Sequence, residues 1–179
     1  APPTNLRNLD AVYEYYRRVA DALSIPIVVQ DEPVQTGVPM PAAFLARLCN
    51  EIEGCAAIKL EDAPTPPKIS RVIELLRRPV PIFGGLGGAQ FYYELRRGAA
   101  GTMTGFAYTE ILVSIYRCHS AGDDGSARTI FYRYLPLIAY EAQPQVGLAL
   151  RKELLRRRGA IPSAAVRHPA MQIDRAALG

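Results

Sequence analysis

The chain has no tryptophan, only two histidines and only three cysteines in 179 residues. Cys49, Cys55 and Cys118 are odd in number and fit no Cys-x-x-Cys spacing, so a disulfide framework is not expected and a reducing compartment is. His119 and His168 form no His-x-x-x-His pair, which leaves a structural zinc site or a histidine-centred triad without donors; neither metal nor cofactor is expected. No apolar run approaches the roughly 18 residues of a membrane span, and Ala1-Pro2-Pro3 does not open a signal-peptide pattern. The expectation is a cytoplasmic protein with no membrane partner.

Low-complexity linkers are absent too. With 49% hydrophobic residues the chain can bury one core, and 1–179 reads as a single domain. The formal net charge is +4. The basic residues sit in helical patterns, as at Arg17-Arg18, Arg77-Arg78, Arg96-Arg97, Arg151-Lys152 and Arg156-Arg157-Arg158, several of them in last turns where cations complement the helix dipole. No aromatic interleaving accompanies them, so they read as solvated helical surface and no nucleic-acid partner is expected.

Positively, the chain alternates helix and strand. Residues 10–23 carry Val12, Tyr16, Val19 and Leu23 on one helical face; 41–52 carry Phe44, Leu45, Leu48 and Ile52; 66–76 carry Ile69, Val72, Ile73 and Leu76. Each helix is followed by a short apolar run: Ile27-Val28-Val29, Cys55-Ala56-Ala57-Ile58, Val80-Pro81-Ile82-Phe83, and later Ala99-Ala100-Gly101. Short, continuously apolar strands between amphipathic helices are the pattern of parallel βα architecture, either a (β/α) barrel or a doubly wound sheet. From residue 107 on, only helical patterns follow, over 110–119, 127–142 and 146–158, with Asp123, Asp124 and Ser126 as N-cap candidates for the second. Beyond Pro162 a polar stretch leads to a tail that reads as a last helical turn or as disorder.

The residues at the run ends draw attention, because strand ends in a parallel barrel converge on one functional face. Lys59 closes the second run, where burial makes an amine nucleophilic; the other ends present Gln30-Asp31, Gly84-Gly85 and Thr102-Met103-Thr104-Gly105. The glycines from Gly84 to Gly88 let backbone N–H groups approach a carboxylate or phosphate, and a tight strand-to-helix turn needs glycine in any case. Their spacing is neither a Walker loop nor a dinucleotide fingerprint.

Gln30-Asp31-Glu32-Pro33 with Thr36-Gly37, then Ile58-Lys59, the Gly84 to Gly88 turn, and Gly98-Ala99 with Gly101-Thr102-Met103-Thr104 together resemble the dihydrodipicolinate synthase and N-acetylneuraminate lyase family of class I Schiff-base lyases. Spacing carries the likeness. It corresponds to the last four βα units of that family's TIM-type (β/α)8 barrel, residues 1–106, and its C-terminal helical extension, residues 107–179. The first half of the barrel has no counterpart. The resemblance implies that Lys59 attacks the ketone of a 2-keto acid such as pyruvate, with Gly84, Gly85, Thr102, Met103 and Thr104 lining the substrate cavity. It implies a lyase of aldolase, dehydratase or synthase type.

Two departures modify that expectation. Where the family usually has Tyr-Asn-x-Pro, this chain has Gln30-Asp31-Glu32-Pro33, so Gln30 is expected to hydrogen-bond substrate while a carboxylate, Asp31 first, then Glu32 or Glu61, moves the proton. The Thr-Thr pair that the family uses for the keto-acid carboxylate is missing. A half-barrel leaves sheet edges and one sheet face open, which implies a homo-oligomer with an interface around Val28, Ala57, Ile82 and Met103. The competing expectations are a non-catalytic barrel module that works by association, and a phosphate-binding barrel enzyme using the glycine turn.

Overall fold

Asn8 caps the first helix, α1 (Leu9–Ala22), its side-chain oxygen accepting from the backbone N–H groups of Asp10 and Ala11. The computed structural model describes residues 1–174 and Ala176. Backbone contacts group the chain into two units: Ala1–Gly85 with Gln90–Met103, and Leu86–Ala89 with the chain from Thr104 onward.

In the first unit, α1 leads to β1 (Ile27–Asp31), a single turn α2 (Pro33–Thr36), α3 (Ala42–Glu51), β2 (Cys55–Leu60), α4 (Thr65–Leu75), β3 (Ile82–Gly84), the short α5 (Phe91–Leu95) and β4 (Gly101–Thr102). All strand pairs are parallel and the order is β1-β2-β3-β4. That sequential order is the barrel arrangement: a doubly wound sheet reverses direction at a switch point, and no reversal occurs here.

Helix periodicity locates the core. Val12, Tyr16, Leu45, Leu48, Ile69 and Val72 are buried against Val29, Ile58, Leu60 and Ile82 of the strands. Leu23 is the exception to the expected face: α1 stops at Ala22, and Leu23 is exposed as the cap residue. Likewise Ile73 on α4 is 40% exposed. The proline pair Pro66-Pro67 opens α4, where the missing N–H groups are unpaired in any helix. The last two strands are displaced toward the site. Val80 and Pro81 precede β3, and β4 consists of Gly101 and Thr102 rather than Ala99 to Gly101.

Strand alternation splits the sheet into two faces. One lies under the helices; Val28, Gln30, Lys59 and Phe83 stand on the other, with Val28 exposed and the rest half-buried. Ile82, expected at an intermolecular interface, is instead 1% exposed in the core, because it shares the helix face with Ile58. Not all arginines are solvated surface. Arg78 donates through Nε to the carbonyl of Cys49 and through Nη2 to that of Cys55, tying α3 to β2. Burial pushes the Cys49 and Cys55 thiols up to about 12 and about 11.

The second unit contains a 3-10 turn at Leu86–Gly88, α6 (Thr109–Ser120), α7 (Asp124–Glu141) and α8 (Gly147–Arg157). Asp123 caps α7 by accepting from Ser126 N–H. Ile115, Ala127, Phe131 and Ile138 are fully buried. Glu141 is buried with them, accepting from Ala107 N–H at 2.9 Å and from Arg151 Nε at 2.8 Å. No helix of the described residues is long and apolar enough to cross a membrane. Of the C-terminal tail read from the sequence, Arg175 and 177–179 lie outside the described residues.

Candidate active site

Register brings three strand residues to one level: Gln30 of β1 opposite Lys59 of β2, and Lys59 opposite Phe83 of β3. Residues opposed across a parallel ladder share a face, so the amide, the amine and the ring are neighbours on the side away from the helices. Glu61 follows Lys59 by two positions, and its N–H extends the ladder by donating to the Asp31 carbonyl. Its side chain therefore returns to the Lys59 face. Lys59 Nζ lies 2.9 Å from Glu61 Oε2, and Gln30 Nε2 donates to the same oxygen at 2.8 Å. The Lys59 and Glu61 side chains retain only 22% and 11% of their exposure.

The Gly84-Gly85 turn completes the rim, and both glycines are required by carboxyl groups. A Cβ on Gly85 would lie 2.1 Å from Glu61 Oε1. A Cβ on Gly84 would lie 1.8 Å from Glu94 Oε2. The sequence suggested a turn whose backbone admits an anion; the anion occupying the space beside Gly85 is the chain's own Glu61. Glu94 lies behind Gly84, fully buried, with Thr65 Oγ1 donating to Oε1 at 2.5 Å. Burial is the main cause that pushes its carboxyl up to about 7, with the Glu61 charge adding to it and Thr65 opposing.

Asp31 does not join this cluster. As the residue after Gln30 it faces the helices, where it is fully buried and its Oδ2 lies 2.6 Å from Lys68 Nζ; Asp62 shares that cation at 2.7 Å. Desolvation raises Asp31 to about 6 despite Lys68. Its alternation parity, not its distance along the chain, removes it from the Lys59 face. Glu32 is also committed elsewhere, capping α2 by accepting from Gln35 N–H. Of the carboxylates weighed for proton transfer, Glu61 is the one beside Lys59.

Thr102 pairs with Gly84 across β3 and β4, so it too lies on the helix face, and its hydroxyl is buried without a hydrogen-bond partner. Met103 donates its N–H to the Gly84 carbonyl. Thr104 belongs to the second unit, where its methyl stands 3.9 Å from the place a Cβ on Gly88 would take. Among the described residues no group of three or more His, Cys, Asp or Glu side chains could hold a metal ion. Sequence reading missed Glu94, and its signal was there: an acid at i+3 from Phe91 and next to Leu95 occupies an apolar helical position.

A partly buried amine with a carboxylate in contact and an amide orienting that carboxylate is an arrangement able to support nucleophilic chemistry. Comparison with known proteins places the chain in a family. The family model described as Dihydrodipicolinate synthetase family matches residues 5–178. An L-2-keto-3-deoxyarabonate dehydratase of Azospirillum brasilense is 34% identical over 166 residues, which cover 90% of this chain and 52% of the relative. A 4-hydroxy-tetrahydrodipicolinate synthase of Parabacteroides distasonis is 28% identical over 140 residues, covering 77% of this chain and 46% of that protein. The crystal structure of a dihydrodipicolinate synthase from Rhodopseudomonas palustris superposes with a TM-score of 0.93 at 34% identity, over 99% of this chain and 61% of that one. The chain spans about half the length of the curated relatives it matches.

Proposed function

The chain belongs to the dihydrodipicolinate synthetase family, and on that premise we propose that Lys59 attacks the ketone carbon of a 2-keto acid such as pyruvate. The observation that carries the reading is the shared oxygen of Glu61, which holds Lys59 at 2.9 Å and Gln30 at 2.8 Å. Glu61 takes a proton from the Lys59 ammonium, and the freed amine adds to the ketone carbon. A second nitrogen proton passes to the new alkoxide to form the carbinolamine, whose hydroxyl takes back the proton held by Glu61 and leaves as water, giving a cationic imine that withdraws electrons from the adjacent carbon. The subsequent bond breaking is of lyase type, whether aldolase, dehydratase or synthase. Gln30, which cannot act as an acid, orients Glu61 by its hydrogen bond. Asp31 has a structural place in this scheme. Gly84 and Gly85 leave room for the two carboxyls, and Met103 is assigned to the substrate side of the rim only through the family likeness, whereas Thr102 faces the helices.

Borohydride trapping with pyruvate tests the reading. Peptide mapping should find the added mass on Lys59, Lys59→Ala should abolish it, and Glu61→Gln should slow trapping about 100-fold, the scale of a positioned acid–base group. An unmodified Lys59 under conditions that trap a known class I aldolase would overturn it. The half-length match favours a second reading, a barrel module that acts only by association with further chain or a second copy. Val28, at 44% exposure on the open sheet face, belongs to the surface such an association would cover.

A further inference from the structure

Glu94 is a fully buried acid that the imine scheme does not use. One of its oxygens accepts from Thr65, whereas the other is buried with no hydrogen-bond partner and points at Gly84. Glu61 presses on the next residue of the same turn from the Lys59 face. Successive residues of a strand direct their side positions to opposite faces, so the two carboxyls approach the Gly84-Gly85 backbone from opposite sides. Among the described residues no ion pair or hydrogen bond from a basic side chain reaches Glu94. Around it, Lys68 on α4 is held by Asp31 and Asp62, while Arg96 and Arg97 follow the end of α5 and are exposed, Arg96 over the Tyr92 ring and Arg97 near Ser70. Glu61 is the charged group that reaches it through the turn.

We infer that Glu94 is a positioning residue for the Lys59–Glu61 pair: neutral, it leaves the pair free to exchange a proton; ionised, it holds Lys59 as the ammonium and slows imine formation. This rests on the imine reading above. The coupling is electrostatic and reciprocal, since a charge on Glu61 that disfavours a charge on Glu94 is itself affected by Glu94 to the same extent. A carboxyl displaced to about 7 changes state in the range where such a device operates. Ionisation adds a second negative charge behind Glu61, which favours the cationic form of the amine.

The test is the pH dependence of borohydride trapping at Lys59 in wild type, Glu94→Gln and Thr65→Val, together with carbon-13 titration of the glutamate carboxyls in wild type. Glu94→Gln keeps the shape and stays neutral, so it should match wild type near about pH 5.5 and trap faster by up to about tenfold near about pH 9. Thr65→Val removes a hydrogen bond that favours the carboxylate, and should move the Glu94 inflection and the trapping break together to higher pH. A purely structural Glu94 would make Glu94→Gln slower at every pH alike, which overturns the proposal. If Glu94→Gln does not fold, wild type and Thr65→Val decide. If Lys59 is never trapped in wild type, the imine reading fails, and the carboxyl titration still judges the coupling: a second Glu61 inflection at the Glu94 midpoint supports it, and a single Glu61 inflection overturns it.

Discussion

Replacing Gly84 by alanine places a methyl group against the fully buried carboxyl of Glu94. The new Cβ would lie 1.8 Å from Glu94 Oε2 and 2.4 Å from its carboxyl carbon, whereas real Cβ atoms essentially never approach within 3.0 Å of a neighbour. The carboxyl must therefore withdraw by more than about an ångström, in a core as close-packed as an organic crystal. Overpacking of this kind costs about 1–3 kcal/mol, and the displaced carboxyl gives up its bond from Thr65, a further loss of about 1 kcal/mol. The expected destabilisation of Gly84→Ala is about 3 kcal/mol. With a urea m-value of about 2 kcal/mol/M, the midpoint should fall by roughly 1.5 M. Glu94→Ala removes the obstruction, so in that background Gly84→Ala should cost less than about 1 kcal/mol, which makes the pair strongly non-additive. Urea titrations of the four proteins followed by circular dichroism complete the cycle. Additivity within about 0.5 kcal/mol would refute the claim that Glu94 is the reason for glycine at 84.

Two further perturbations address the buried ion pairs. Lys68→Met strips Asp31 and Asp62 of their shared cation and should cost about 3–5 kcal/mol near pH 8. Asp31 is raised from 3.8 to about 6, so below that value the folded carboxyl is protonated and needs no cation; the cost should shrink near pH 5, and equal costs at the two pH values would refute the pairing. In the second unit, Arg151→Met leaves Glu141 with Ala107 N–H alone and should cost about 3 kcal/mol in thermal or urea melts, with Glu141→Gln in the same background recovering part of it; a neutral Arg151→Met would refute the role of that pair.

Element types were legible because period carries them. Val12 and Tyr16, Leu45 and Leu48, Ile69 and Val72 repeat at helical spacing and are buried as a set, and the apolar runs before Gln30 and Lys59 are strands. Boundaries were less legible at β3 and β4, where Pro81, which has no N–H to donate to the ladder, and the small residues Ala99 and Ala100 carry the apolar run beyond the strands, although the Pro81 carbonyl still accepts from Ile58 and the Ala100 N–H donates to the Ile82 carbonyl. Within the site, the approach of Gln30 to Lys59 follows from their positions at two strand ends, but the choice between Asp31 and Glu61 depended on parity and register. Asp31 is adjacent to Gln30 and therefore faces away from it; Glu61 is two residues from Lys59 and therefore faces with it. The glycine turn showed that something approaches closely there, and only the packed structure identifies it as two carboxyls.

Arg78 has a consequence for how βα repeats are inherited. It lies after α4, yet its guanidinium closes the turn between α3 and β2 by binding the carbonyls of Cys49 and Cys55, with that of Glu53 at 3.4 Å. The repeat made of α3 and β2 is thus sealed by a side chain of the next. Duplication or recombination that cuts at a repeat boundary near Leu76 would separate a turn from the residue that satisfies it, so the segment that can be exchanged without loss is offset from the segment that repeats.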